Sequence, residues 1–278
     1  MNTAELLAYV DRDREVELYG GAVKVRFMPK AHRYKTDGLE RWAPSVTSVS
    51  GSADKSAFLI PWALKCMSSY LLKWNETALE LTREELAIKI GEAAKESDRV
   101  RDEAAMFGSI VHAYAEIFAE AMMKGEAPPA PPEDAPDAAV LGIKAFTDWV
   151  AANPSLKFIA AERIVASRDH DFVGQLDAIV EIDGKRWLVD YKTSKGIYDE
   201  AIIQTAGYLL ALREETGEKI DGRLILHFDK DSGTVSTLFL EGEDEFDADS
   251  IAFLAYLTAK RRMKVLEDQR KAREKAAT

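Results

Sequence analysis

Two apolar runs, Phe172 to Ile182 and Lys185 to Thr193, are joined by Asp183-Gly184. That dipeptide suits a type I′ turn, which needs positive φ at both central residues, so a tight hairpin is expected. With Ile182 facing Lys185, the register runs back through Glu181/Arg186 and Ile179/Leu188 until Asp177 faces Asp190. Directly opposed side chains have Cβ atoms about 4.5–5.5 Å apart, and like charges there repel. Two carboxylates so placed either share a proton or hold a cation between them. Strand alternation sets Lys192 on the same face, two residues after Asp190. A plain salt bridge between Asp177 and Lys192 on an exposed face is the non-catalytic reading of the same residues. Against it, Leu176, Ala178, Val180, Trp187, Val189 and Tyr191 make the other face apolar, and Ile179 and Leu188 flank the acids. A sheet covered on both sides makes unpaired acids costly.

Aspartate oxygens suit Mg²⁺ or Mn²⁺, which keep several waters and bind phosphate oxygens. Such an ion polarises a scissile phosphate, helps generate hydroxide and neutralises the leaving oxygen. A lysine beside it orients or deprotonates the attacking water, or stabilises the pentavalent phosphate. Phosphodiester hydrolysis is therefore the chemistry implied. Cys66 is the one cysteine of 278 residues, which excludes from this chain an internal disulfide, a thiolate zinc site and a four-cysteine iron-sulfur cluster. A net charge of −11 argues against indiscriminate attraction to a polyanion. The eight Lys or Arg against three acids in Lys260–Lys275 read as a solvated helix face.

The elements that must position these residues follow from periodicity. Short strands are expected around Val23–Phe27 and Arg33–Tyr34, then the Pro44-Ser45-Val46-Thr47-Ser48-Val49 segment, then an apolar helix near Trp62–Trp74. Thr82 and Glu85 have capping-box spacing and start another helix. A strongly periodic helix over about Asp98–Lys124 carries Gly108, His112 and Glu116 in one register, beside an apolar stripe that includes Ile110, Tyr114 and Phe118. Five prolines mark Glu126–Asp137 as a loop, and a helix over Asp137–Ala152 follows. Strands are predicted over Lys157–Ser167, in both arms of the hairpin, and over Arg223–Phe228 and Thr234–Leu240, with helices over Glu200–Glu215 and Asp249 to about Lys275. The fold class is α/β: a small central mixed sheet flanked by helices, with additional N-terminal helices and a long C-terminal helix.

Gly174-Gln175-Leu176-Asp177 followed by Asp190-Tyr191-Lys192-Thr193 resembles the core signature of the PD-(D/E)xK nucleases. Gly108-Ser109-Ile110-Val111-His112 and Gln204-Thr205-Ala206-Gly207-Tyr208 resemble the G-x-x-x-H and Q-x-x-x-Y motifs of their RecB-like branch, in family order. Pro44-Ser45-Val46-Thr47 before Leu59-Ile60-Pro61-Trp62 is similar to the front of phage-type exonucleases and the mitochondrial genome maintenance exonuclease. The resemblance spans roughly Pro44 to Leu212. It implies a restriction-endonuclease-like core and Mg²⁺ or Mn²⁺ held by His112, Asp177, Asp190 and the Tyr191 carbonyl, with Lys192 as catalytic lysine and Glu162 as an additional catalytic acid. Gln204, Tyr208, Thr193 and Gly108 would lie against the DNA, and Glu116, one turn after His112, would orient the imidazole. The absence of a cysteine set favours the branch without an iron-sulfur cluster.

The resulting expectation is a DNA exonuclease acting on single-stranded or frayed ends. An endonuclease of the same fold and a catalytically silent DNA-binding module remain the alternatives. Residues 1–97 are expected to form N-terminal strands and helices covering the site, and 98–278 the nuclease core with its proline-rich loop at 126–137. Lacking a long apolar run or a signal-like start, the chain is expected to be soluble, intracellular and free of membrane contact, in a bacterial or phage-infected cytoplasm. The resemblance also implies DNA recombination, repair or replication, with a partner protein from those processes.

Overall fold

A computed structural model describes residues 1–75 and 82–276. In chain order the elements are α1 (Thr3–Val10), β1 (Arg14–Leu18), β2 (Val23–Met28), β3 (Arg33–Asp37), α2 (Val46–Ser50), α3 (Ser56–Asn75), α4 (Arg83–Ala93), α5 (Glu96–Lys124) and α6 (Asp137–Ala152). There follow β4 (Lys157–Ser167), β5 (Phe172–Ile182), β6 (Lys185–Lys192), α7 (Asp199–Thr216), β7 (Gly222–Phe228), β8 (Val235–Leu240) and α8 (Glu243–Ala276). Contacts group Met1–Ser52 with Ser109–Thr278 in one compact unit and Ala53–Gly108 in another. Among the described residues no helix is long and apolar enough to cross a membrane.

The larger unit holds two sheets. A five-stranded sheet runs in the order β4-β5-β6-β7-β8, antiparallel except where β6 lies parallel to β7. That one parallel pair needs a crossover, and α7 supplies it. The hairpin register is the expected one, from Ile182↔Lys185 to Ala178↔Val189, and Asp183 (φ 50) and Gly184 (φ 77) take the left-handed turn. One face packs through Leu176, Ile179 and Leu188 on Leu209 and Leu212 of α7 and Phe253 of α8. On the other, Phe146 of α6 stands edge-on to Phe118 of α5, Tyr191 of β6 and Phe228 of β7. Both faces are therefore covered, which is why the middle strands read as nearly continuous apolar runs.

The N-terminal β1-β2-β3 sheet is antiparallel, and its buried Val23, Val25 and Phe27 share a core with Ile164 and Val173 of the large sheet. Two of its neighbours escape the periodicity reading. α1 begins at a capping box between Asn2 and Glu5, and β1 alternates in Arg-Glu-Val-Glu-Leu with only Leu18 fully buried. The Pro44–Val49 segment touches the large sheet through a bridge between Ser45 and Val173. It then turns helical, because the Ser45 hydroxyl caps the Ser48 N–H.

α8 is longer than expected and is pinned at its centre. Its Lys260 donates to the Ser48 carbonyl at 2.7 Å, and Arg261 donates to the carbonyls of His170 and Asp171. Lys264 and Lys271 form i,i+4 pairs with Asp268 and Glu267. The basic strip therefore begins as a clamp on α2 and the β4–β5 turn, and continues as a self-paired face. Inside, Arg223 of β7 is 1% exposed and meets Asp249 of α8 at 2.6 Å and the Ile202 carbonyl of α7 at 3.0 Å. Removing one member of such a pair strands a buried charge, whereas replacing both with apolar groups does not. Asp249→Ala should therefore lower the unfolding free energy by about 3 kcal/mol in urea titrations. The double variant Arg223→Met/Asp249→Leu should lose clearly less; an equal or larger loss would show that the charges themselves hold α8 to the sheet.

Candidate metal centre

The site forms where the large sheet comes apart. β4 and β5 pair in one constant register from Ala160↔Ile179 to Ser167↔Phe172, and among the described residues that run skips only Glu162 with Asp177. On the other side, the β5–β6 ladder stops at Ala178↔Val189, one step short of Asp177 and Asp190. Asp177 therefore stands in a gap bordered by both neighbouring strands. The backbone groups freed there are met by side chains: Tyr191 N–H donates to Asp177 Oδ2 at 2.6 Å, and Gln175 Nε2 donates to the Glu162 carbonyl at 3.1 Å. Glu162 itself holds φ at 47°, a left-handed conformation that costs a non-glycine residue roughly 1–3 kcal/mol and recurs at functional sites.

The opening sends the two aspartates to different partners. Asp177 Oδ1 lies 3.3 Å from His112 Nδ1 of α5. Asp190 Oδ2 lies 2.5 Å from the Lys192 ammonium, and Asp190 is 2% exposed. Ligand atoms of His112, Glu162 and Asp177 all fall within 4.8 Å of one another. Donors around one ion at about 2.1 Å are at most roughly 4.2 Å apart, so a shift of a few tenths of an ångström lets these three hold a divalent cation. Glu162, read in the sequence as an additional catalytic acid, stands here with His112 and Asp177, while Asp190 faces Lys192. The cause is the early end of the ladder, which removes the direct opposition of Asp177 and Asp190.

Behind the acids are residues that the sequence did not single out. Arg14 of β1 donates to both oxygens of Glu116 at 2.7 and 2.8 Å and lies 3.7 Å from Glu162. Glu116 is thus buried against Arg14, with no contact to His112 among the described interactions. Lys192 Nζ donates to Gln204 Oε1 at 3.2 Å, and Gln204 Nε2 donates to Tyr208 Oη at 2.8 Å and Thr47 Oγ1 at 3.4 Å. Gln204 and Tyr208 do share one face of α7, and Thr47 of α2 completes their network. Gly174 is required there, because a Cβ would come within 2.7 Å of the Tyr208 ring and 2.8 Å of Val46. The Tyr191 ring is buried between His112 and Phe146, edge-on to both. Gly108 is buried on α5 one turn before His112, and Thr193 is half-buried just past β6. The alternation of β1 was the signal for Arg14; Thr47 carried none beyond its place in the Pro44–Thr47 motif.

The electrostatics follow from burial and mutual charge. Burial raises the Asp177 pKa, but His112, Lys192 and the Tyr191 N–H outweigh it, so Asp177 stays below its usual range. Burial pushes Asp190 up to about 6, with Lys192 opposing and Asp177 adding. Glu162 is pushed well up by burial and by the charges of Asp177 and Glu116, against Arg14. For His112, Asp177 outweighs burial and the pKa rises; for Lys192, Asp190 and Asp177 do the same. These groups line one cavity of about 320 Å³, together with α1 and the β2–β3 hairpin.

Glu162 generates a pH prediction. Its native pKa lies above its unfolded one, near 4.3, so between the two the native state holds a proton that the unfolded chain has lost, and stability falls as pH rises. In EDTA, Glu162→Gln should therefore melt above the wild type at pH 7.5, with the gap closing by about pH 4. Added Mn²⁺ should reverse the order by stabilising the wild type more. A gap that is independent of pH would place the Glu162 charge outside the energetics of the fold.

No curated protein gives a significant match to the chain. Among solved structures, an alkaline exonuclease from Laribacter hongkongensis aligns with a TM-score of 0.32 and 16% identity, over 49% of this chain and 72% of that one. The protein SSO0001 aligns with a TM-score of 0.29 and 11% identity, over 74% of this chain and 87% of that one. The model of the PD-(D/E)XK nuclease superfamily matches residues 82–277. That match spans well over half of the chain and takes in His112, Glu162, Asp177, Asp190, Lys192, Gln204 and Tyr208, and by it this chain belongs to the PD-(D/E)XK nuclease superfamily.

Proposed function

We propose that the chain is a Mg²⁺- or Mn²⁺-dependent deoxyribonuclease that works from single-stranded or frayed ends. The observation that carries this reading is the convergence of His112, Glu162 and Asp177 donor atoms beside a lysine, in a gap of a covered sheet. When bound, a divalent ion would neutralise the scissile phosphate and lower the pKa of an attacking water. We assign His112, Asp177 and Glu162 to hold it, with Asp190 and the Tyr191 carbonyl as the further oxygens that the family resemblance implies.

Lys192 is cationic at neutral pH, since Asp190 and Asp177 raise its pKa. An ammonium has three donors. One faces Asp190, one goes to Gln204, and the third remains for a phosphoryl oxygen whose negative charge grows in the transition state. Lys192 then acts as a donor to the reacting phosphate, not as a base. Gln204, held by Tyr208 and Thr47, fixes the direction of that ammonium, and Arg14 offsets the charge of Glu116 and, at 3.7 Å, that of Glu162. End-directed action is the reading that the family resemblance of the Pro44–Thr47 and Leu59–Trp62 segments favours. Thr193 and Gly108 flank Lys192 and His112 along the chain, and we assign them to the path of the strand.

Asp190→Asn and Lys192→Met should each lower single-turnover cleavage of end-labelled single-stranded DNA by at least about 10²-fold in Mg²⁺ or Mn²⁺, with DNA binding retained at a temperature where each variant is folded. Mononucleotides or short oligomers should accumulate from either labelled strand, and a closed single-stranded circle should resist. Linearisation of the circle would make the enzyme an endonuclease; equal cleavage by wild type and both variants would remove the catalytic assignment.

A further inference from the structure

The cavity has a wall that phosphate chemistry does not use. Besides the ionic groups and the polar side chains around them, its lining includes Leu7 and Val10 of α1 with Phe27, Pro29, His32 and Tyr34 of the β2–β3 hairpin. None of the six carries a permanent charge, so the same small space is ionic on one part of its lining and apolar or aromatic on another. The aromatic part is ordered. Phe27 and Tyr34 stack with centroids 4.5 Å apart at 24°, and His32 stands edge-on to Phe27 at 6.0 Å and 80°. Phe27 is buried, whereas His32 is exposed.

His32 also holds a left-handed backbone, with φ 45 and ψ 49, just after Pro29. Its N–H donates to the Pro29 carbonyl at 2.8 Å. Histidine, like asparagine and aspartate, takes this conformation more readily than most residues, and glycine takes it freely. The turn thus holds the exposed imidazole at the cavity lining.

We propose that this wall is a nucleobase subsite. With a phosphate at Asp177 and Lys192, the adjoining base lies against Pro29 and His32, and the Phe27/Tyr34 stack backs the imidazole. Every base offers a π-face, so a subsite that works by stacking takes any nucleobase. It rests on the reading of the site as a phosphodiester-cleaving centre, and it adds the part of the substrate that the ion and Lys192 do not hold.

His32→Gly and His32→Asn both suit the left-handed backbone and both remove the ring. They would be compared with wild type on end-labelled single-stranded oligonucleotides, intact or carrying one abasic tetrahydrofuran unit at each of the first positions from either end. Binding to the same oligonucleotides would be followed by fluorescence anisotropy without divalent ion. One abasic position should weaken wild-type binding and raise its KM by about tenfold, the scale of one lost base stack. Both variants should show that loss already on intact DNA, gain little further loss from the abasic unit, and melt no lower than wild type. The subsite is overturned if the abasic penalty is the same in variants and wild type, if no abasic position weakens wild-type binding, or if the variants melt several degrees lower with unchanged KM. Base-dependent binding without any cleavage would sink the catalytic reading and leave the subsite standing; cleavage with an unaltered KM in both variants would do the reverse.

Discussion

The hydrogen bond from Tyr191 N–H to Asp177 Oδ2 sits where a sheet must stop being a sheet. In a regular ladder that N–H would donate to a backbone carbonyl. Because the side chain takes the bond instead, β6 is held to β5 while the ladder between them ends. Gln175 does the matching service for β4 through the Glu162 carbonyl. Buried backbone groups need partners, and these two bonds let the sheet open by one residue without orphaning them. His112 can then approach from α5, and Lys192 can turn to Asp190 and α7.

The opening gathers more acid than base. Asp177, Asp190, Glu162 and Glu116 face Arg14 and Lys192, and three of the four carboxyls have raised pKa values. Such a cluster lowers stability, so the surroundings must supply the difference. Ile179 and Leu188, both fully buried, sit beside the aspartates along their strands, and the α7–α8 contact is close enough that a Cβ at Gly207 would come within 2.6 Å of Phe253. The rigid packing around the gap is thus tied to the unfavourable charge within it.

Much of this could be read before any coordinates. The Asp-Gly turn set a register that holds for five residue pairs, and strong apolar periodicity placed α5, α6 and α7 within a few residues of their bounds. The order of motifs located His112, Asp177, Asp190, Lys192, Gln204 and Tyr208 around one cavity. Regular alternation failed at the gap, because it assumes an unbroken ladder and so puts Asp177 directly across from Asp190. A strand residue in a left-handed conformation, as at Glu162, leaves no mark in composition. Arg14 and Thr47 were missed for another reason. They reach the centre from about a hundred residues or more away, through contacts such as Arg14–Glu116 and Thr47–Tyr208 that no local pattern encodes.

The basic C-terminal strip reads in the sequence as a solvated helix face. Yet Lys260 and Arg261 are held on backbone carbonyls, and Lys264 and Lys271 on acids of their own helix. Lys260 bonds the Ser48 carbonyl, one residue past Thr47, which ties α8 to the element that carries Thr47 into the site. At the cleft, Arg14 and Lys192 are also engaged by carboxylates. A phosphate entering there adds negative charge to a region already in excess of it. Lys192 can meet part of that charge with its third donor, but only by sharing a cation that Asp190 already holds. The balance closes with a group that brings two positive charges at once and prefers oxygen ligands, and the donor set of His112, Glu162 and Asp177 is spaced for such an ion.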